Sequence, residues 1–192
     1  MSEPDAVIDF WLHEIGPKGW YVASDDVDAE IRARFGAEWQ AAHAGEREFW
    51  CNGPRGTLAY LILTDQFSRN LFRGRPEAFA TDASALAAAS MAIDKGYDLQ
   101  IAEPERVFFY MPFEHSEDMA DQNRSVDLVE RCLPETKSGY LVHAEAHREI
   151  IRRFRRFPFR NAALGRKSSA EEEEFLRDGG YGAIVRALEK QG

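Results

Sequence analysis

The sequence predicts an all-α fold of antiparallel helical hairpins. Three observations carry that prediction. Apolar residues recur at i, i+3 and i+4 along nearly the whole chain. Capping residues or prolines stand before most of these runs, and glycines or prolines stand after several of them. No stretch alternates apolar and polar residues, and no Asn-Gly or Asp-Gly turn joins two β-branched runs. Helices joined by short connections favour antiparallel neighbours.

The elements follow in order. Val7, Phe10 and Trp11 line a short first helix that Gly16-Pro17 ends. Ser24, with Asp25, Asp26 and Asp28 behind it, starts a second, because a capping oxygen and acidic groups both suit free amides. Val27, Ile31, Phe35 and Trp39 form its buried face. Pro54 opens a third, with Leu58, Leu61, Ile62 and Leu71 inward. Asp82 caps a fourth, carrying Leu86, Ala89 and Ile93, which Lys95-Gly96 stops. Pro104 suits the first turn of a fifth, rich in Val107, Phe108 and Phe109, and Pro112 interrupts or ends it. Ser116, Glu117 and Asp118 begin a sixth that runs to about Cys132. Ser138 begins a long seventh with Leu141, Ala144, Ile150, Ile151 and Phe154 inward. A capped helix from Ser169 to Arg177 and a short tail from Tyr181 complete the chain.

At 192 residues and without a Pro/Gly/Ser-rich linker, the chain reads as one domain, 1–192. Acidic residues number 33 against 24 basic ones, a net charge of −9. That balance argues against nucleic acid, which needs a basic footprint, and against anionic lipid. Met1-Ser2-Glu3-Pro4-Asp5 has neither the basic start nor the apolar run of a signal peptide. The densest apolar stretch, Leu58 to Leu63, falls far short of the roughly 20 residues that span a bilayer. Cys51 and Cys132 have no metal or redox spacing. The expectation is a cytoplasmic protein with reduced thiols.

Four constellations carry chemistry. In Asp65-Gln66-Phe67-Ser68-Arg69-Asn70-Leu71-Phe72-Arg73, a helix places Asp65, Arg69 and Arg73 on one face. Two arginines so placed can grip a carboxylate or phosphate, or they can form a salt-bridged solvent face. In Pro112-Phe113-Glu114-His115-Ser116-Glu117-Asp118, Glu114 stands beside His115, and a carboxylate next to an imidazole can raise its basicity. The alternative is a histidine held in a structural hydrogen bond, while Glu117 and Asp118 suit a helix start. His143 and His147 share one helix face, a bidentate metal geometry that Glu114, His115 or Glu117 would have to complete from another helix to make a metal-dependent hydrolase. Residues 148–167 hold eight basic side chains against Glu149 alone, a local +7 that leaves −16 elsewhere. The seven acids of 114–135 would pair with much of that charge, leaving Arg156, Arg160 and Asn161 for a cleft.

These motifs bring a resemblance into view. Asp65 to Asn70 with Phe72-Arg73, Pro112 to Glu117, His147, Arg156 to Asn161 and Leu164 to Arg166 together resemble the bacterial domain-of-unknown-function family nine hundred and twenty-four. The likeness runs from Val7-Ile8-Asp9-Phe10-Trp11 to Glu171–Leu176. It implies a tetratricopeptide-like, right-handed array of helical hairpins and no particular activity. Arg155 stands where the family pattern has a glycine, and Phe159 where it has a histidine, which weakens any metal site built on that histidine.

Polar motifs at several separated points are more than core packing requires. The reading is a cleft for a small anionic ligand. Arg69, Arg73, Arg156 and Arg160 contact the anion, and Asn70 and Asn161 orient it. Glu114, His115 and His147 are the acid/base candidates. No cofactor or metal is expected. The rival reading is a tetratricopeptide-like interaction module that clamps an acidic peptide.

Overall fold

A computed structural model describes residues 3–190. Met1 and Ser2, on which part of the N-terminal reading fell, lie outside the described residues. Every regular element among the described residues is helical. The chain gathers into two compact units divided between Pro112 and Phe113, at the proline where the sequence predicted an interruption. Among the described residues, no helix is long and apolar enough to cross a membrane. Neither Cys51 nor Cys132 is in a disulfide, and burial pushes the Cys51 thiol up to about 12.

In the first unit, α1 (Glu3–Ile8) runs into a π-helical turn, Asp9–Ile15, which ends at Gly16. Gly16 has φ +68°, a left-handed conformation that favours glycine. Helix α2 (Asp25–His43) begins as its residues dictate, with the Ser24 hydroxyl accepting from the Val27 amide. Helix α3 (Pro54–Leu61) has its proline in the first turn. It then widens into a second π-helical segment, Ile62–Phe67, before α4 (Ser68–Leu71). The predicted third helix is therefore one path with an extra residue per turn at its middle, a feature often found at functional sites. Helix α5 (Asp82–Asp94) takes Thr81, not Asp82, at its N-cap position. The predicted fifth helix is a 3₁₀ turn, Glu105–Phe109, with Val107, Phe108 and Phe109 buried. Three consecutive large apolar side chains suit the interior half of such a tight turn, while Glu105 and Arg106 stay partly exposed. The core of this unit is aromatic, with Phe67 edge-on to Phe10 and Trp11 at 5.9 and 5.4 Å.

The short helix α6 (Met111–Glu114) crosses the division between the units. The second unit continues with α7 (Met119–Cys132) and α8 (Lys137–Phe154), which pack on each other. Asp118, rather than Ser116, caps α7, accepting from the Ala120 amide at 2.7 Å. Helix α9 (Ala170–Arg177) opens with a complete capping box of Ser169 and Glu172. Helix α10 (Gly180–Glu189) returns onto α8. Ala146, Ile150, Ile151, Phe157, Phe175 and Ile184 form the core between these elements.

Helix α8 ends on Arg155 at φ +59°, the only non-glycine residue with positive φ among the described residues. A side chain in this conformation is strained by roughly 1–2 kcal/mol, and glycine avoids that strain at a helix end. Replacing Arg155 by glycine is expected to stabilise the protein by about 0.5–1 kcal/mol, because the looser unfolded chain offsets part of the gain. Chemical denaturation of the two proteins checks this, and a destabilised glycine variant would contradict it.

Candidate functional site

The first-unit motif folds its polar groups against carboxylates. Asp65, 1% exposed on the π-helical segment, accepts from Gln66 Nε2 at 2.6 Å. Arg69 lies 3.4 Å from the Asp65 carboxylate and 3.1 Å from that of Asp82, and it also donates to the Asp65 carbonyl. Asn70 donates to Asp28 at 2.8 Å, and Arg73 takes the same carboxylate in a two-pronged pair. Burial works against the charge on Asp28, but the Arg73 and Asn70 hydrogen bonds outweigh it and hold the carboxyl below its usual range. Three of the expected ligand contacts thus fasten α4 and the turn after it to α2 and α5. In the same unit the buried Ser68 and Thr81 hydroxyls both donate to the Thr64 carbonyl, and the Trp39 indole N–H donates to Ser68 Oγ at 3.1 Å.

The second-unit site starts with Gln122, which α7 buries completely. Its amide nitrogen donates to the carbonyls of Phe113, Glu114 and Ser116 at 3.3, 2.6 and 2.7 Å. These bonds fold the segment before α7 and set Glu114 and His115 in place. The Glu114 side chain, 5% exposed, reaches to 3.6 Å from His147 Nδ1. His147 projects from α8, and its Nδ1–H donates to the His143 carbonyl one turn back at 2.8 Å. That bond places the proton on Nδ1 and the lone pair on Nε2. The Tyr181 hydroxyl, brought over by α10, hydrogen-bonds with His143 Nδ1 at 2.6 Å.

Rings wall His147 on three sides. Tyr181 lies 4.9 Å away, Phe157 5.6 Å and His115 6.0 Å, centroid to centroid. Arg160, 5% exposed, lays its guanidinium 4.5 Å over the other ring contact of this wall, Phe157. Burial, with the charges of His115 and Arg160, drives His147 down to about 3, against the opposing hydrogen bond to His143. His147 is therefore neutral across the physiological range. Burial likewise raises the Tyr181 phenol and lowers His143.

Glu114, His115, His147 and Arg160 thus belong to one neighbourhood. Arg156 and Asn161 are drawn elsewhere. Arg156 forms a two-pronged pair with Glu172 at 2.6 and 2.8 Å, and Asn161 donates to Glu172 and Ser168 at 3.3 and 3.1 Å. A shallow surface depression of about 360 Å³, lined by Arg153, Arg155, Arg156 and Glu171, lies beside this pair. Sequence reading missed Tyr181, whose only hint was an aromatic between glycines in the tail. It also read Glu117 as a helix-start acid. The structure gives Glu117 the Phe157 amide and both Arg166 terminal nitrogens, at 2.7–2.9 Å. Burial opposes that charge, but Arg166 and the amide hold the carboxyl below its usual range.

The Nδ1 atoms of both α8 histidines are engaged in these bonds. Among the described residues, no group of three or more His, Cys, Asp and Glu side chains is placed to hold a metal ion.

Residues 7–180 match the family model described as bacterial protein of unknown function, DUF924. No curated protein matches the chain. A solved structure, that of the protein of unknown function ATU0120 from Agrobacterium tumefaciens, is 41% identical, with a TM-score of 0.86. The match covers 92% of this chain and 97% of that one.

Proposed function

The chain belongs to the bacterial DUF924 family, and from that premise we propose that its second unit binds a small anionic ligand beside His147 and Arg160. One observation carries this reading: the Glu114 carboxylate lies 3.6 Å from the His147 imidazole, and that imidazole and the Arg160 guanidinium both lie against the buried Phe157 ring. Burying such groups is unfavourable, and apolar side chains of similar size commonly give equal or greater stability. His147 keeps 15% of its side chain open, so the group remains reachable. Arg160 supplies the positive charge, and His147, flanked by Glu114 and His115, is the acid/base group.

Thermal unfolding with small carboxylates and inorganic phosphate tests this reading. A ligand at one hundred times its dissociation constant adds about 2.7 kcal/mol to the native state. For a chain of this size that corresponds to a rise of roughly 5–10 °C. Arg160→Met keeps an unbranched side chain over Phe157 and is expected to lose the rise. If no anion raises the melting temperature, the reading falls.

A second reading treats the chain as a tetratricopeptide-like stack of helical hairpins that clamps an acidic peptide. The α7/α8 pair with α10 against α8 supports the stacking, and the exposed Arg153 and Arg155 beside the surface depression support the clamp. Peptide binding that survives Arg160→Met but is lost in Arg153→Ala would favour it.

A further inference from the structure

We infer that the surface depression at the end of α8 binds a phosphomonoester dianion between the guanidinium groups of Arg153 and Arg155. The inference stands apart from the anion reading beside His147. It shares its two arginines with the acidic-peptide reading and gives them a different occupant.

Two guanidinium groups that line one opening, with no acid matched to them, carry the inference. The depression is about 360 Å³, and Arg153, Arg155, Arg156, Ser169, Glu171 and Glu172 line it. Arg156 and Glu172 neutralise each other in their two-pronged pair. Arg148, Arg152 and Arg166 take Glu145, Glu149 and Glu117. Arg153 and Arg155 are exposed, and among the described residues neither side chain forms a hydrogen bond or an ion pair. Glu149, which Arg152 grips, feels the Arg153 charge only from beyond ion-pair distance. The positive charge that the acids do not absorb therefore comes to the surface at this opening.

Both arginines are held there at a cost to freedom or to backbone conformation. The Arg153 guanidinium lies over the Phe154 ring at 5.0 Å and over the Phe175 ring at 5.5 Å. A guanidinium over ring faces keeps its in-plane N–H donors available for a ligand. Arg155 keeps a left-handed backbone at φ +59°, where stability alone would place glycine. Residues held in conformations that their side chains disfavour cluster at ligand-binding positions.

The charge count selects the ligand. A single carboxylate matches one guanidinium, whereas two unmatched ones suit a dianion. A phosphomonoester carries close to two negative charges near neutrality and three acceptor oxygens, enough for hydrogen bonds from both arginines. The volume is at the lower end of the roughly 300–1,000 Å³ of small-ligand clefts, which leaves room for the esterified group beside the phosphate. Glu171, on the rim, adds a negative charge that pairs with neither arginine. It opposes a second anionic group and so favours a ligand with one phosphate.

Calorimetric titration of the intact protein at about pH 8 and low salt tests this. The probes are glycerol phosphate and a short peptide with either phosphoserine or glutamate at its centre. At least one phosphate probe is expected to bind, and the tighter of the two shows whether the phosphate arrives on a small molecule or on a protein chain. The glutamate peptide is expected to bind about tenfold or more weakly than its phosphoserine counterpart. Equal binding of the two peptides overturns the inference in favour of the acidic-peptide clamp. Absence of binding by both phosphate probes overturns it outright.

Arg155→Gly is expected to weaken phosphate binding about tenfold or more while the fold becomes more stable, so misfolding cannot account for the loss. Glu171→Gln is expected to tighten binding about two- to threefold. Unchanged affinity in Arg155→Gly, or weaker binding in Glu171→Gln, overturns the inference. Binding that survives Arg155→Gly but is lost in Arg160→Met moves the phosphate to the His147 site, which overturns this inference and leaves the anion reading there standing.

Discussion

Replacing Phe157 by alanine is expected to destabilise the protein by about 3–5 kcal/mol, the usual range for deleting a fully buried aromatic ring. Phe157 is 0% exposed and belongs to the core of the second unit, with Ala146, Ile150, Ile151, Phe175 and Ile184. It also carries the site: its ring meets His147 edge-on at 5.6 Å and the Arg160 guanidinium at 4.5 Å. The substitution is selective, because its backbone amide still donates to Glu117 as in the parent protein. A domain is typically stable by only about 5–15 kcal/mol, so this one ring accounts for a sizeable fraction.

The measurement should be urea denaturation followed by far-UV circular dichroism. Tryptophan fluorescence would be a poor reporter, because Trp11, Trp20, Trp39 and Trp50 all belong to the first unit. Phe157→Leu retains most of the apolar volume and is expected to lose clearly less than the alanine variant. A loss below about 1.5 kcal/mol for alanine would mean that the ring is not packed as described.

Helix starts were legible where a short polar side chain meets free amides, as at Ser24 and Ser169, and where Pro54 opens α3. The π-helical segments were not legible, because one extra residue per turn barely disturbs an i, i+3, i+4 pattern read over two turns. Within the candidate site, the spacing of His143 and His147 showed that they share a face. It could not show the proton placement, because the partner that sets it is a backbone carbonyl. Asn70 and Arg73 looked like ligand contacts because nothing in the sequence marks Asp28, 42 and 45 positions earlier, as their shared partner.

The basic segment was located correctly, while its pairing was only partly foreseen. Of the acids in 114–135, Glu117 does take an arginine, Arg166. Arg148 and Arg152 instead pair with Glu145 and Glu149, three residues back on their own helix. Such neighbours meet without the ordering cost of a second element, so local pairs form readily. Arg156 goes forward to Glu172 on α9, and this pair fixes the loop that carries Arg160 and Asn161.

Glu172 is accordingly the second residue whose loss should be large. Its side chain is 4% exposed and accepts from Arg156, Asn161 and the Ser169 amide, the last of these closing the capping box of α9. Alanine removes every one of these acceptors and takes from Arg156, Asn161 and the Ser169 amide their shared carboxylate, an expected loss of about 2–3 kcal/mol. Glutamine keeps the shape and one acceptor, and it removes the charge. The hydrogen bond from Arg156 holds the Glu172 carboxyl down to about 2, with the Ser169 amide adding to it against the effect of burial. Because the folded value lies below the unfolded one, the charge stabilises the native state above about pH 4.5, and that stability is lost as the pH falls toward 2. After allowance for screening, the parent protein should exceed Glu172→Gln by about 2 kcal/mol near neutrality. The gap should close between pH 4.5 and 2, because only the parent takes up a proton at this position. Asp28 and Glu117 also titrate in the acid range, but both proteins carry them, so they cancel in the difference. Paired denaturation curves at pH 6 and pH 3 give the answer: an unchanged gap would mean that Glu172 acts through its shape, and the charge on the Arg156 pair would contribute nothing to holding this loop.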